Sequence, residues 1–350
     1  MYKFLSEHNC IKEYPNLTKY VNIQRNLKNK KSIVIGIDFL LYAHKFMYSY
    51  NNIIIGFWNQ IVKLLSHKII PLYIYDGKPP HEKDSVIQQR QRKRTNLETK
   101  LHDLTNDIQD HHVEDNHDLE ELEKQKNKIK KSILHIKKSD IDTTKEFFDA
   151  LHIPYLNAVG EADALCAKLT KEGYIGACLS DDMDMLVLGC NKTIKFQDGK
   201  VFEFDLDYIL TCLDINYDQF VEMSLLFGCD YIKLPFKLDV NESYNLIKTY
   251  GSIENILDYA NHENINKNNE KCKCFIDGYL NAKKILITSP FHEGVPNDVF
   301  NCTIDKELDP FIVFQYLKTY GDENYVNENM QKILDSIEYV NHLWTHNKTL

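Results

Sequence analysis

Aspartates follow three short β-branched runs of the chain, at the point where each run ends. Asp38 and Asp76 each come directly after such a run, and a pair formed by Asp182 and Asp184 comes shortly after a third. Such runs predict strands of a parallel sheet, whose carboxyl ends meet at one edge where ligands bind. Clustered carboxylates raise one another's pKa unless a cation neutralises them. The spacing therefore predicts a site for a hard divalent cation, Mg²⁺ or Mn²⁺.

Three further acids could join that edge. Glu161 and Asp163 lie at the start of a predicted helix, and Asp230 follows another. Two divalent ions about 3.5–4 Å apart suit in-line attack of water on a phosphodiester. Each acid also has a plainer explanation, because an Asp after a strand is commonly a turn or N-cap residue. Glu161 and Asp163 could simply complement the positive end of a helix dipole.

The elements that would position these acids alternate between strand and helix. The predicted strands are 32–37, 69–75, 152–156, 175–179, 193–196 and 201–204. The predicted helices include 39–67, 161–171, 218–227 and 242–250, and the chain from 206 onward is mostly helical. This order predicts an α/β fold with a mostly parallel central sheet flanked by helices. At 350 residues the chain corresponds to about two domains, or to one large domain with insertions.

One stretch, 85–150, departs from this pattern, since it is long, highly charged and without Pro or Gly. It predicts two helices with a break near 111–116 that project from the body or cover a substrate; a solvent-exposed hairpin is the plainer alternative. Basic runs at 78–94 and 124–138 flank an acidic stretch at 103–123. The net charge of −9 would repel phosphate if it were uniform, but this segregation creates local positive fields.

Composition excludes several classes of protein. No apolar run approaches the roughly 18 residues of a transmembrane helix, and the first 15 residues lack the apolar core of a signal peptide. The nine cysteines are odd in number and form no CxxC, which indicates a reducing compartment. Cys272 and Cys274 are interpreted as loop residues.

Four motifs resemble those of a known family. Asp76-Gly77-Lys78-Pro79-Pro80 with Lys83, Arg90 and Arg94 is similar to the N-terminal motif of the flap endonucleases, the xeroderma pigmentosum G-type structure-specific 5′ nucleases. The segments 160–164 (GEADA) and 180–184 (SDDMD) resemble the internal motif of that family. The segments 228–231 (GCDY) and 250–254 (YGSIE) resemble its later stretch, and the order agrees to about residue 257.

The resemblance implies a role for each matching residue. The implied metal ligands are Asp38, Asp76, Glu161, Asp163, Asp182, Asp184 and Asp230, holding two Mg²⁺ per subunit, with Mn²⁺ as a substitute. Lys83 and Arg90 match the basic pair that engages the scissile phosphate, where positive charge stabilises the transition state. The implied DNA contacts are His44, Arg94, Lys137 and Lys138. The stretch 85–150 is similar to the family's helical arch, whose basic runs line a single-strand channel.

The resemblance also implies a PIN-like nuclease fold and its division. We expect a nuclease region at 1–84, the arch at 85–150, an internal nuclease region at 151–230 and a helical C-terminal region at 231–350. The last region would contain a degenerate DNA-binding helix-hairpin-helix. The expected substrate is DNA with a 5′ flap, nick or end, cleaved by a nuclear monomer in replication or repair.

The chain departs from the family at several points. It begins Met1-Tyr2 rather than Met-Gly, and 237–240 (KLDV) stands where the hairpin normally has G-[IV]-G-P. Because those glycines allow backbone to approach phosphate, duplex binding there is in doubt. No sliding-clamp motif is found. His44 and the EADA form at Glu161 are more like the double-strand exonuclease branch.

Two other functions remain open. A phosphatase with an Asp nucleophile would need D-x-D after the first strand, but Phe39-Leu40 follows Asp38. A non-catalytic DNA-binding scaffold that kept the fold is favoured by the altered hairpin. The seven acids disfavour a scaffold, since clustered charge is costly to keep without a metal.

Overall fold

The computed structural model describes residues 1–28, 31–110, 116–229, 238–262, 278–288 and 306–345. Seven strands form one sheet in the order β1-β7-β6-β5-β2-β3-β4. The strands are β1 (Lys12–Tyr14), β2 (Ile33–Asp38), β3 (Ile69–Tyr75), β4 (Tyr155–Asn157), β5 (Ala177–Leu179), β6 (Lys192–Gln197) and β7 (Lys200–Asp205). From β6 to β4 all neighbours pair in parallel, whereas β7 pairs antiparallel with both β6 and β1. The predicted α/β fold with a mostly parallel sheet is confirmed.

Helices flank this sheet on both faces. The first eight are α1 (Tyr2–Glu7), α2 (Leu17–Lys28), α3 (Phe39–Tyr50), α4 (Ile53–Leu65), α5 (Asp84–Asp110), α6 (Asn116–Ser132), α7 (Lys138–Ala150) and α8 (Ala162–Lys171). The others are α9 (Asp184–Val187), α10 (Leu206–Leu213), α11 (Tyr217–Phe227), α12 (Val240–Tyr250), α13 (Ile253–His262), α14 (278–288), α15 (Pro310–Tyr316) and α16 (Glu323–Thr345). A 3₁₀ turn, His81–Lys83, precedes α5, and a π-helical turn, Leu317–Gly321, follows α15.

Side chains alternate between the two faces of the sheet and bury two cores. On one face Ile35 and Tyr73 belong to a core shared with α3, α4, α7 and α16. On the other face Ile74 and Cys178 belong to a core shared with α1, α8, α10 and α11. The central strands are therefore covered on both sides, as expected for parallel strands. None of the described helices is both long and apolar enough to span a bilayer.

The structure corrects the predicted single helix at 39–67. Asn51 adopts a left-handed conformation with φ 52° and ends α3, and the Asn52 side chain then caps α4 by accepting from the backbone N–H of Ile55 at 3.1 Å. Asn tolerates the left-handed region and is a favoured N-cap, so an Asn-Asn pair can break a helix without Gly or Pro.

The charged stretch 85–150 is corrected from two helices to three. α5 ends at Asp110 and α6 begins at Asn116, and residues 111–115 between them lie outside the described residues. α7 then begins at Lys138. α7 is not a projecting helix, because Phe147 and Phe148 are fully buried beside Tyr73 and Phe57. β1 and the helices α1 and α2 were not predicted.

Candidate active site

Three adjacent strands of the sheet present acids at one edge. β5, β2 and β3 are consecutive and parallel. Asp38 is the last residue of β2, Asp76 follows β3 directly, and Asp182 lies three residues after β5. The expected convergence of strand ends is therefore what the sheet order produces.

Asp38 is both a helix cap and a perturbed acid. Its Oδ1 accepts a hydrogen bond from the backbone N–H of Leu41 at 3.1 Å, which caps α3. Desolvation, followed by the negative charge of Asp76, raises the pKa of Asp38 to about 7 against the lowering effect of the backbone hydrogen bonds. Asp182 contributes in the same direction. Asp38 thus caps α3 and also interacts electrostatically with the other acids at the strand ends.

A close crossing of two backbones fixes Asp76. Its Oδ1 accepts from the backbone N–H of Ala162 at 2.8 Å, and the N–H of the adjoining Gly77 donates to the Gly160 carbonyl at 2.7 Å. A Cβ on Gly77 would lie 2.3 Å from the carbonyl oxygen of Ala158, so the crossing requires glycine. Asp76 lies at the solvent-accessible rim, yet enough protein surrounds its carboxylate for desolvation to raise its pKa, with Glu161 adding to the rise.

Asp163 has a carboxylate oxygen that is enclosed by protein. It lies in the first turn of α8, and its Oδ1 is buried with no hydrogen-bond partner among the described residues. Desolvation raises its pKa well above the usual range, and the charges of Asp38, Asp182 and Asp76 add to the rise. An unsatisfied buried carboxylate oxygen is costly unless a cation or donor reaches it.

The loop after β5 organises the second acidic pair. The backbone N–H of Asp182 donates to the Ser180 hydroxyl at 3.0 Å, and that of Asp184 donates to Asp182 Oδ1 at 2.9 Å. The charge of Asp184 also acts on the amino group of Met1, whose pKa is lowered mainly by desolvation. Asp182 is exposed, so this pair lies at the solvent-accessible side of the edge.

A lysine enters this acidic edge from the turn before α5. Lys83 Nζ and Glu161 Oε1 lie 2.7 Å apart, and the two side chains are only 18% and 16% exposed. The Lys83 charge also lowers the pKa of Asp76 and Asp163. Lys83 therefore lies among the acids of the edge and is mostly shielded from solvent.

The donor set suits a hard cation, although it does not form a closed cage. Every candidate ligand is a carboxylate oxygen, the type that Mg²⁺ and Mn²⁺ prefer, and the orphaned Asp163 Oδ1 is a donor that a cation would satisfy. Within the described part of the chain, no three His, Cys, Asp or Glu side chains approach closely enough to hold an ion. Asp230 lies outside the described residues. The geometry is an open cluster whose members interact electrostatically.

Two segments of the chain match known sequence families. Residues 3–97 match the XPG N-terminal domain, and residues 152–230 match the XPG I-region. Flap endonuclease 1 of Saccharomyces cerevisiae strain S288c is 30% identical over 246 residues, which are 68% of this chain and 59% of the yeast protein. Flap endonuclease 1 of Brugia malayi is 31% identical over 214 residues, 59% of this chain and 53% of that protein. The chain matches little more than half the length of these relatives.

The chain belongs to the XPG/flap endonuclease family. Its fold is similar to the catalytic core of Rad2 in complex with DNA substrate, with a TM-score of 0.61, 20% identity, and coverage of 95% of this chain and 98% of that one. It is also similar to flap endonuclease-1 from Methanococcus jannaschii, with a TM-score of 0.60, 18% identity, and coverage of 97% and 98%. The PIN-like nuclease fold implied by the motifs is thereby confirmed.

The two family segments contain the acidic edge and leave out most of the hairpin. Asp38, Asp76 and Lys83 fall in the N-terminal match, whereas Asp163 and Asp182 fall in the I-region match. The segment 98–151 between them contains the second half of α5, all of α6 and all of α7. The family resemblance thus rests on the part of the chain that builds the sheet edge.

The four DNA-contact candidates occupy different settings. His44 is exposed on α3, and desolvation and the neighbouring His135 lower its pKa. Arg94 pairs within its own helix, with Nε 2.8 Å from Glu98 Oε1. Lys137 and Lys138 are exposed at the start of α7 rather than on the hairpin. Arg90, two helical turns beyond Lys83, is exposed on α5. Their roles toward DNA stay predictions.

The altered hairpin segment is described only in part. Lys237 lies outside the described residues. Asp239 caps α12, because its Oδ1 accepts from the backbone N–H of Glu242 at 2.8 Å and Glu242 Oε2 accepts from the Asp239 N–H at 2.8 Å. Asp239, which the motif resemblance sets against a glycine, therefore begins a helix with a capping box.

Two residues at this edge were missed from the sequence. Lys45 on α3 forms an ion pair with Asp181, and Lys195 on β6 lies 3.9 Å from the same carboxylate. These cations hold the loop 180–184 against α3 and the sheet. The sequence offers one signal for Lys45, which lies seven residues, or about two helical turns, after Asp38 and therefore on the same face of α3. It offers none for Lys195.

Proposed function

We propose that this protein is a divalent-metal-dependent, structure-specific 5′ nuclease. It would hydrolyse phosphodiester bonds of DNA at single-strand/double-strand junctions, as a nuclear monomer in DNA replication or repair. The observation that supports this best is the shared electrostatic field of Asp38, Asp76, Asp163 and Asp182 at one sheet edge. The similar Rad2 core is in complex with DNA substrate, and the similar sequences are flap endonucleases.

The acids of the edge would hold the metal. Oxygens of Asp38, Asp76, Asp163 and Asp182 are the described donors, with Glu161, Asp184 and Asp230 as the further candidates for two Mg²⁺ or Mn²⁺ ions per subunit. Bound there, such ions supply Lewis-acid polarisation of the phosphodiester and a water of lowered pKa. The buried, unpartnered Oδ1 of Asp163 is the atom that most requires a cation.

The cation of Lys83 would act on the phosphate. It is held 2.7 Å from Glu161 and mostly shielded from water, so its charge is less screened than that of a surface lysine. Negative charge develops on the phosphate oxygens during attack, and a fixed ammonium beside them stabilises that charge. Arg90 belongs to the same N-terminal motif as Lys83 and would contact the phosphate from α5.

The test is Mg²⁺-dependent cleavage of a labelled 5′-flap duplex by the full chain. Asp163→Asn and Asp182→Ala each remove one candidate donor, and we expect cleavage to fall at least about 100-fold because a metal contributes several kcal/mol to the transition state. Asp207→Asn, an exposed acid on α10, is the matched control and should retain wild-type cleavage. DNA affinity measured in Ca²⁺ should remain within a few-fold in all three variants.

Each alternative predicts a different result. A scaffold would bind the flap duplex without cleaving it, with or without the substitutions. A phosphatase would hydrolyse small phosphomonoesters and leave the duplex intact. Cleavage that survives both acidic substitutions would place the chemistry elsewhere in the chain.

A further inference from the structure

Two cysteines from distant parts of the chain meet where the turn after α1 reaches α10. Asn9 in that turn is left-handed, with φ 55°, and the backbone N–H of Cys10 then donates to the Leu5 carbonyl at 2.9 Å. Because Asn tolerates this region, the chain can reverse here without glycine. The Cys10 side chain enters the core, with its sulfur 3.5 Å from the His8 carbonyl oxygen.

One face of α10 contacts the same turn. The Tyr208 hydroxyl donates to the Asn9 carbonyl at 3.4 Å. Cys212 follows Tyr208 by four residues, and residues at this spacing lie on the same face of a helix. The face of α10 that contacts Asn9 therefore brings Cys212 next to Cys10, and the Cys212 thiol interacts with the Cys10 thiol.

Contacts with α12 hold both segments in place. The His8 ring packs against the rings of Phe4 and Tyr244, with centroid distances of 4.3 and 5.6 Å. The Tyr244 hydroxyl donates to the carbonyl of Leu213, the residue after Cys212, at 2.9 Å. The backbones on either side of the two thiols are thus fixed, so the thiols stay close together in the folded protein.

The two thiols differ in their access to solvent. Among the cysteines that the structure describes, Cys212 is the exposed one, whereas Cys10 is buried. Desolvation raises the pKa of the Cys10 thiol to about 12, and the neighbouring Cys212 thiol adds to the rise. A solvent-borne oxidant therefore reaches Cys212 first, and Cys10 is the second thiol to react.

A second group of cysteines lacks this arrangement. Cys166, Cys178 and Cys190 lie in the core shared with α8, where the Thr170 hydroxyl is 3.1 Å from the Cys178 sulfur and 3.5 Å from the Cys190 sulfur. All three side chains are buried, so an oxidant in solvent has no direct access to them. Exposure and proximity are combined at Cys10 and Cys212.

We propose that Cys10 and Cys212 form a reversible disulfide when the protein meets hydrogen peroxide. The Cys212 sulfur attacks one peroxide oxygen, the O–O bond breaks, and a sulfenic acid and one water result. The Cys10 sulfur then attacks the Cys212 sulfur, the S–O bond breaks, and the Cys10 proton leaves with the hydroxide as a second water. The two thiols lose two electrons in total, and these reduce the peroxide.

This disulfide would act as a latch between the N-terminal turn and α10. It closes a loop of about 200 residues, and a crosslink across so long a loop restricts the unfolded chain strongly. In a reducing compartment such a bond forms during exposure to oxidant and is removed by thiol reductants. The latch is independent of the proposed nuclease function, because neither cysteine is a candidate metal ligand.

Peptide mapping tests the pairing. The full chain is treated with hydrogen peroxide, alkylated, and digested without reductant. We expect the main crosslinked peptide to join Cys10 to Cys212, and we expect dithiothreitol to remove it. A main crosslink between other cysteines, or oxidation of Cys212 without a crosslink to Cys10, would overturn the proposal.

Variants test the order of the two steps. Cys10→Ala removes the second thiol, so the sulfenic acid at Cys212 should accumulate and its dimedone adduct should increase at least about 5-fold over wild type. Thr211→Ser, also exposed on α10, is the matched control and should form the crosslink as wild type does. Equal dimedone labelling of wild type and Cys10→Ala would contradict the assignment of Cys10.

Thermal unfolding measures the latch itself. Oxidised wild type should have a Tm at least about 4 °C above that of the reduced protein, and dithiothreitol should abolish the difference. Cys212→Ser should have the same Tm with and without peroxide. Its side chain is exposed, so this variant keeps the test informative even if Cys10→Ala perturbs folding. An unchanged Tm in wild type, or an equal rise in Cys212→Ser, would refute the latch.

Discussion

The acidic sheet edge and the charged hairpin formed by α5 and α6 place their charges in opposite ways. At the edge, Asp38 and Asp76 each accept a backbone hydrogen bond and are fixed by buried strands. On the hairpin most of the charged side chains that the structure describes are exposed, and pairs such as Arg94 with Glu98 lie within one helix. The edge therefore fixes the positions of its carboxylates to within ångströms. The hairpin determines mainly the sign and the range of the electrostatic field around it.

The boundary between the two regions runs through the stretch that looked uniform in sequence. Among the described side chains of α5 and α6, Ile129 is the one that is buried, but α7 places Phe147 and Phe148 in the core. α7 therefore anchors the returning end of the hairpin to the sheet. Charge composition alone did not reveal that change, because the aromatic pair is short and adjoins a lysine-rich segment.

If the edge depends on fixed backbone, disturbing the crossing at Gly77 should have the largest effect. Gly77→Ala places a Cβ 2.3 Å from the Ala158 carbonyl, so the backbones beneath Asp76 and Glu161 must separate. We expect cleavage of a flap duplex to fall about 100-fold, with a loss of roughly 1–3 kcal/mol in unfolding free energy from overpacking. Urea titration and single-turnover kinetics measure the two effects.

The matched control is Gly321→Ala, where a Cβ would meet Ile55 at an ordinary 3.4 Å. It should leave cleavage within a few-fold of wild type. If Gly77→Ala also cleaved normally, the acids would not depend on this crossing, and the contrast between a rigid edge and a permissive hairpin would lose its main support.

The metal-free edge should also be a pH-dependent weakness of the fold. The pKa of Asp38 is raised to about 7, from about 3.9 in an unfolded chain, so the folded state binds this proton more tightly. The stabilisation is present below about pH 4 and is lost as the pH rises through 7. With EDTA present, we expect the unfolding free energy to fall by on the order of 1–3 kcal/mol between pH 5 and pH 8.

Asp38→Asn sharpens this test, because an amide cannot titrate. The variant should show a smaller loss of stability between pH 5 and pH 8, with the remainder arising from Asp163, whose pKa is raised in the same direction. Mg²⁺ at pH 8 should restore stability to wild type, since a ligand of the folded state stabilises it by mass action. A wild-type stability that is flat across this range would show that the acids are not desolvated together.

The sheet edge could be read from the sequence because strand ends, β-branched runs and acids obey short-range rules. β3 was predicted with its observed bounds, 69–75, and β6 and β7 to within a residue at each end. The order of strands in the sheet could not be read, yet it is what makes β5, β2 and β3 neighbours. Parallel pairing follows from the repeated strand-helix pattern, whereas adjacency depends on packing between residues far apart in sequence.

The candidate site was predicted in its acids and not in their partners. Asp76 was predicted from its place after a strand and Lys83 from the motif resemblance, but the ion pair of Lys45 with Asp181 joins residues 136 positions apart. Spacing within a motif carries no information about such a contact. The break at Asn51 was missed for a different reason, since a left-handed Asn leaves a helical pattern of apolar residues intact on both sides.

The smallest expected effect is that of a substitution on the hairpin. It tests whether the charges of the hairpin act on DNA without contributing to the stability of the fold. Arg94 and Glu98 are an exposed i,i+4 pair, which contributes about 0.3–0.5 kcal/mol at most, so Arg94→Ala should change the unfolding free energy by no more than about 0.5 kcal/mol. If Arg94 contacts a phosphate, Arg94→Ala makes the negative slope of log affinity against log salt shallower by about one for a flap duplex. Glu98→Ala leaves that slope intact and strengthens binding, because it releases the guanidinium from its competing carboxylate. A flap affinity that neither substitution changes would mean that this turn of α5 lies off the strand's path, and the field of the hairpin would then have to come from its other cations.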